Sequence, residues 1–310
     1  MHEDLTDRIH VSTPGTWTLS RCLECRSGYL DPRPTPDSIH LAYSTYPTHH
    51  SAQRPANEEL NLVRRLRRGI ANGYRNLRYG ARDRPANPLG VLLTLLPGQR
   101  ASIDTDCRHL PKPRPGARLL DVGCGNGFFL EFARRAGWCV VGVDFDEGAV
   151  KAARSLGMDI RHGGVDAIDP TERFDGITLG HVIEHVYDPI AVLKRCHHLL
   201  KPGGWIWLQT PNLDALGHVQ YGPYWRGLEP PRHLVLFTLE SMKQSLTKAG
   251  FLGASVLRAS LACDFTFPAS QEIVGNGGDA PELPRRIRMA EKRAAHDPAV
   301  REYITIKAWK

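Results

Sequence analysis

From residue 117 onward the sequence predicts an α/β fold, a doubly wound Rossmann-like sheet that is mostly parallel, preceded by a mainly helical N-terminal region. Three observations carry this expectation. Short β-branched runs alternate with segments of helical spacing, and repeated β-α units of this length build a parallel sheet with helices on both faces. The first such run leads directly into a glycine loop and then a helix. The proline-rich stretch Pro111-Lys112-Pro113-Arg114-Pro115-Gly116 separates this pattern from what precedes it.

The first strand is expected over residues 118–122. Residues 127–136 have helical spacing and offer Phe128, Leu130 (or Phe129), Phe132 and Ala133 to the core. The run 139–143 reads as the second strand, 147–156 as a helix, 158–161 as a short third strand and 174–179 as the fourth. A helix over 189–200 ends at Lys201-Pro202-Gly203-Gly204, where proline and glycine stop it, and 205–209 is the fifth strand. Residues 241–249 are another helix, stopped by Gly250. Late strands are expected at 254–258 and 303–308, with irregular or helical chain at 263–300. Residues 1–50 hold a cysteine pair and the turn Asp31-Pro32-Arg33-Pro34-Thr35-Pro36, and residues 51–116 are arginine-rich and helical in pattern. The expected division is therefore 1–50, 51–116 and a sheet domain over 117–310, with substrate-covering insertions near 212–235 and 263–300.

The 310 residues are 41% hydrophobic and 24% charged, as in globular proteins. The longest strongly apolar stretch, residues 89–96, falls far short of the roughly 20 residues that cross a bilayer, so no transmembrane segment is expected. The N-terminus shows no secretory pattern, and a cytoplasmic protein is expected. Seven scattered cysteines read as reduced thiols rather than a disulfide framework. The net charge of +7 is concentrated between residues 54 and 84, where nine arginines face Glu58, Glu59 and Asp83. The plain reading is a solvated helix face. The sharper readings are an anionic substrate, an acidic membrane surface or RNA, although no aromatic platform for single strands accompanies the arginines. Nothing in the residues sets an oligomeric state.

The loop Asp121-Val122-Gly123-Cys124-Gly125-Asn126-Gly127 joins the first strand to a helix N-terminus, where glycines let backbone approach a ligand and free N–H groups face it. A dinucleotide fingerprint would place its third glycine at 128, which is Phe128. Asp121 would repel a pyrophosphate but suits S-adenosylmethionine, whose ammonium and sulfonium are cationic. Asp144 ends the second strand about 20 residues on, where an acid accepts ribose hydroxyls. The alternative for Asp144 is a helix cap, a role that Asp146 fills better. Cys124 reads as a small packing residue within the loop.

The segments 119–127 and 141–144, Phe174-Asp175, His181-Val182-Ile183-Glu184-His185, Leu200-Lys201-Pro202-Gly203-Gly204 and Thr210-Pro211-Asn212 occur in the order and spacing of one family. In them the chain resembles the class I S-adenosylmethionine-dependent methyltransferases over about residues 117–260, with the last strand near residues 303–309. The resemblance implies a seven-stranded sheet ending in an antiparallel hairpin. It implies a cofactor site of Asp121, Gly123, Cys124, Gly125, Gly127, Asp144, Phe145 and Gly180, with Asp166 and Ala167 against the adenine. Asp166 can equally be a surface loop acid.

Methyl transfer from a sulfonium is an in-line displacement, so the protein aligns the acceptor and, for a hydroxyl, takes its proton. His181, Glu184 and His185 lie within one helical turn of each other in sequence. Three readings stay open: His181 or His185 is a general base, the three ligate a divalent metal, or Glu184-His185 only orders the loop. The ubiquinone-biosynthesis O-methyltransferases look similar here but carry Glu at the position of His181, and magnesium favours oxygen ligands. His233, in Glu229-Pro230-Pro231-Arg232-His233, is a second base candidate or a buried histidine tying the loop to the sheet. Pro231-Arg232-His233 with Phe237-Thr238 resembles a branch acting on small-molecule, sugar or natural-product acceptors. The loop 212–228, with Tyr221, Tyr224 and Trp225, is placed to cover a substrate.

Cys22-Leu23-Glu24-Cys25 is half of a zinc ribbon, whose metal needs four ligands. The expected activity is methyl transfer to a small-molecule acceptor, as O-methylation with a histidine base. One alternative is an RNA or protein methyltransferase using the arginine-rich region. Others are a nicotinamide-dependent sugar oxidoreductase and a non-catalytic cofactor-binding subunit. The Asn/Asp-Pro-Pro-Tyr/Phe signature of base methylation is absent after the fourth strand, where Gly180-His181 stands.

Overall fold

The alternating apolar runs assemble into one sheet in a computed structural model that describes residues 1–44, 62–275 and 282–310. The chain begins with strands β1 (His2–Leu5), β2 (Trp17–Arg21) and β3 (Gly28–Asp31), then helices α1 (Leu62–Tyr79) and α2 (Pro97–Asp106). The alternating region runs β4 (Arg118–Val122), α3 (Phe128–Arg135), β5 (Cys139–Asp144), α4 (Glu147–Ser155), β6 (Asp159–His162) and β7 (Phe174–Gly180). It continues as α5 (Pro189–Leu199), β8 (Leu200–Pro211), α6 (Leu216–Tyr221), β9 (Val235–Leu236), α7 (Leu239–Lys248) and β10 (Leu252–Val256). Helices α8 (Cys263–Val274) and α9 (Leu283–His296) then lead to β11 (Tyr303–Trp309).

Seven strands form the main sheet in the order β10-β11-β8-β7-β4-β5-β6. The five strands from β8 to β6 are parallel, and β11 runs antiparallel between β8 and β10, which gives the expected seven-stranded sheet. Leu119, Leu120, Val143, Ile177, Leu179, Ile206 and Leu208 are all buried, because helices cover both faces of the central strands. The order turns at β4, with β5 on one side and β7 on the other, and ligands bind where such a sheet splits, beyond the carboxyl ends of its strands. Val122 pairs with Val143 and with Leu179, so Gly123, Asp144 and Gly180 leave the sheet side by side.

Several local expectations need correction. Phe128 is 60% exposed, and the core face of α3 is Phe129, Leu130, Phe132 and Ala133. Helix α5 ends at Leu199, before the proline and glycines, because Leu200 already pairs with Phe174 as the first residue of β8. Strand β10 begins two residues earlier than expected, at Leu252. Between 263 and 300, where irregular or helical chain is expected, the described residues are mainly the helices α8 and α9, in line with the helical reading. The helical reading holds for α1 and α2 but not for the first 31 residues, where β1, β2 and β3 form a separate four-stranded sheet with β9. Arg54, Glu58 and Glu59 lie outside the described residues.

That small sheet is fastened by a buried charge cluster. Arg232 is fully buried and donates to Asp7 (2.9 Å), to Glu229 (3.0 Å) and to the carbonyl of Ala42 (2.9 Å). Burial opposes the charge on Asp7, but Arg232 and Ser12 outweigh it and hold the carboxyl well below its usual range. Breaking a buried pair from one side strands the partner charge, at a cost of about 3–5 kcal/mol. Urea denaturation of Arg232→Met is expected to show a loss of that size. Arg232→Lys should not restore it, since one ammonium does not reproduce the guanidinium fork. A loss below about 1 kcal/mol would mean that the cluster does not fasten the sheet.

Candidate active site

Beyond β4 the loop is tied to the end of β5. The amides of Gly123 (2.8 Å) and Cys124 (3.0 Å) both donate to the carbonyl of Val143, and the amide of Gly125 donates to the carboxylate of Asp144 (2.7 Å). The three glycines have positive φ of 69°, 53° and 81°. A Cβ on Gly123 would meet Val182 Cγ2 at 2.3 Å and one on Gly127 would meet Met158 Cε at 2.4 Å, whereas one on Gly125 meets nothing within 4 Å. Packing thus accounts for the first and third glycine, and the middle one faces open space.

Asp144 also accepts the amide of Asp146 (2.8 Å), while Asp146 caps α4 through Ala149 (2.9 Å). Burial pushes the Asp144 carboxyl up from its ordinary value. Phe145 is exposed and leans on Gly164. Asp166 and Ala167 are exposed on a 3-10 turn, with Asp166 3.7 Å from Arg195. Cys124 is buried, and burial pushes its thiol up, as befits a packing residue.

Asp121 lies fully buried beneath the loop, where Thr178 donates to it (2.8 Å) and Arg108 forms an ion pair with it. Burial pushes its carboxyl up to about 6, against the pull of Arg108. The Arg108 guanidinium stacks 4.0 Å over the Phe129 ring and sits against Gly180, where a Cβ would lie 3.2 Å from Nη2. Arg108 gave no signal in the sequence. It reaches the loop because it and His109 both adopt positive φ just after α2, a tertiary feature that residue spacing does not encode.

At the end of β7, His181 has φ +56°, a sparsely populated conformation for a residue with a side chain. Its side chain is 43% exposed, edge-on to Tyr303 at 4.8 Å, with Nδ1 3.4 Å from Glu184 Oε1. Glu184 is fully buried and accepts from Thr210 (3.0 Å). Burial works against its charge, but the neighbouring His181 outweighs it and holds the carboxyl at about 2. His185 Nδ1 bonds the carbonyl of Arg232 (2.9 Å), within reach of the Tyr43 hydroxyl (3.1 Å), and His233 Nδ1 bonds the carbonyl of Gly227 (2.8 Å). A carbonyl only accepts, so both rings donate from Nδ1, and a neutral ring then presents Nε2 as an acceptor. Burial lowers His233 to about 4, so its ring is neutral at pH 7. His233 is buried, and Glu184, His185 and His233 each offer one donor atom within 4.8 Å of the others. Two imidazoles and one carboxylate suit zinc-like ions better than magnesium. Structure therefore gathers a metal-type set that includes His233 in place of His181.

The aromatic side chains of the loop pack inward. Tyr221 and Trp225 are buried, with Trp225 Nε1 donating to Glu302 (2.9 Å), and Tyr224 lies under Arg8 at 4.3 Å. Cys22 and Cys25 flank the tight turn between β2 and β3, closed by Cys22 N to Ser27 O (2.8 Å). The amides of Cys25 and Glu24 hold the Cys22 thiol below its ordinary value. Among the described residues no third metal-type ligand joins this pair.

A family model described as a methyltransferase domain matches residues 100–255. The ubiquinone biosynthesis O-methyltransferase of Dinoroseobacter shibae is 42% identical over 109 residues, covering 33% of this chain and 44% of that protein. The protein of the same name from Xanthomonas campestris is 42% identical over 106 residues, covering 32% of this chain and 44% of its own. The chain thus spans less than half the length of these curated relatives. Among solved structures, phosphoethanolamine N-methyltransferase 2 of Haemonchus contortus, in complex with S-adenosyl-L-methionine, has a TM-score of 0.47 and 17% identity, covering 66% of this chain and 51% of that one.

The glycine geometry orders three variants by stability. Gly125→Ala is expected to cost about 1–2 kcal/mol, the strain of a left-handed residue. Gly123→Ala and Gly127→Ala add overpacking of about 1–3 kcal/mol. Equal losses in all three, by chemical denaturation, would contradict the open space at Gly125.

Proposed function

This chain belongs to the class I S-adenosylmethionine-dependent methyltransferases, and from that premise we propose that it methylates an oxygen of a small-molecule acceptor with His181 as the base. The observation that carries the reading is His181 itself: half-exposed at the split of the sheet, backbone-strained, and backed by a buried carboxylate.

The cofactor residues divide its parts among them. Arg108 and Asp121, paired with each other, offer a cation and an anion to the carboxylate and ammonium of the methionine moiety. The open face of Gly125 admits the cofactor against the loop. Asp144 uses two of its roughly four acceptor sites on the backbone, leaving the others for ribose hydroxyls. Phe145, Asp166 and Ala167 flank the adenine end, and Gly180 borders the transferred methyl.

In the transfer, the acceptor oxygen forms a bond to the methyl carbon as the carbon–sulfur bond breaks, and the bonding pair stays on sulfur as a neutral thioether. The acceptor proton passes to His181 Nε2, since Glu184 holds the Nδ1 side of the ring. A second reading rests on the Glu184-His185-His233 set: a zinc-like ion held there would orient the acceptor oxygen. Thorough chelation leaves the rate unchanged under the first reading and abolishes it under the second.

Calorimetry with S-adenosylhomocysteine should show binding that is lost in Asp144→Ala. A protonated Asp121 no longer attracts an ammonium, so affinity is expected to be level between about pH 7 and 8, where the ligand's ammonium is also charged, and to fall as pH drops through about 6. Asp121→Asn should remove that pH dependence, and an unchanged pH profile would separate Asp121 from the ligand. With the acceptor identified by a product-mass screen, His181→Gln should lower kcat by about 10²–10⁴ with cofactor affinity kept. Turnover equal to wild type would remove His181 as the base.

A further inference from the structure

The arginine-rich region has no part in the site just described, and its surface is unusual in a second respect. The first seven residues of α1, residues 62–68, are all exposed. They alternate Arg65, Arg67 and Arg68 with Leu62 (86% exposed), Val63 and Leu66. The 3-10 segment Pro88–Leu95 adds Leu89, Val91, Leu92 and Leu95 (76% exposed), with Leu96 just beyond it. The two elements form one unit. The amide of Asn87 donates to the carbonyl of Gly69 (2.8 Å). A Cβ on Gly73 would lie 2.0 Å from Asn87 O, and one on Gly90 would lie 2.4 Å from the Tyr74 amide, so backbone packs on backbone.

Residues 62–96 carry eight arginines against Asp83 alone, an excess equal to the +7 of the whole chain. Asp83 is itself paired with Arg135 at 3.2 Å. We propose that residues 62–96 are a membrane-surface docking element that recognises anionic phospholipid headgroups through its arginines and inserts its exposed leucines at the acyl boundary. Charge complementarity selects an anionic partner. The leucines select lipid over nucleic acid, since a phosphate backbone offers no apolar phase to bury them, whereas interfacial segments combine a basic and an apolar face. Among the described residues no helix is long and apolar enough to cross a membrane, and this element lies on the surface rather than spanning it.

Sedimentation of the full chain with vesicles tests the proposal. Binding is expected to phosphatidylcholine–phosphatidylglycerol vesicles and not to phosphatidylcholine alone, and to weaken with salt. The variants Arg65→Glu/Arg68→Glu and Leu92→Ser/Leu95→Ser should each reduce partitioning by roughly tenfold or more, and both should keep wild-type affinity for S-adenosylhomocysteine, which shows that they fold. The proposal is overturned by absence of binding to the anionic vesicles, or by leucine variants that bind them like wild type. It is also overturned if single-stranded RNA binds with higher affinity than the vesicles, in a manner that the arginine variant abolishes and the leucine variant does not change.

Discussion

The site depends on how the glycine loop is clasped by the end of β5. One carbonyl, Val143 O, takes two successive loop amides, and the Asp144 carboxylate takes a third. Three hydrogen bonds to so short a stretch require the chain to reverse within it, and the positive φ at Gly123, Gly125 and Gly127 makes that possible. Buried amides without partners are costly, so the loop has little freedom to leave this shape. The start of α3, the depth of Asp121 and the open face of Gly125 all follow from it. A ligand at the split of the sheet meets a surface that is already formed.

A second constraint joins the small sheet to the chemistry. Arg232 anchors Asp7 with its guanidinium, while its own carbonyl holds His185, and the next residue is His233. The 3-10 turn that ends at Tyr43 brings a phenol to the same imidazole. One short segment therefore fixes the N-terminal strands and the histidine cluster together. Damage to the ion cluster would reach the site through the backbone of Arg232 as well as through stability, an effect of positioning rather than of contact with substrate.

How much of this could be read in the sequence differs with the range of the interaction. The glycine loop, Asp144 and the helix caps are local patterns, and the central strands β4, β7 and β8 were legible because they are buried on both faces and largely apolar. Strands β1, β2 and β3 were not legible. They are short and half polar, and the sheet they form with one another is completed by β9, some two hundred residues away in sequence. Arg108 was invisible for a similar reason, since its partner Asp121 is reached through backbone turns and not through spacing. Trp225 and Tyr221 looked like a substrate cover because their loop is long and aromatic. Sequence alone does not show that α8 and Glu302 bury them. His181, Glu184 and His185 were found together by spacing, yet the second imidazole of the metal-type set comes from His233, which only the fold brings near.

Hydrogen exchange in the presence and absence of S-adenosylhomocysteine tests the central claim most directly. The account predicts that the ligand slows exchange in peptides covering residues 121–128 and 144–146, together with the segment carrying Arg108, and leaves α9 unchanged. Protection confined to other regions, or none under saturating ligand, would contradict a cofactor seated against the glycine loop.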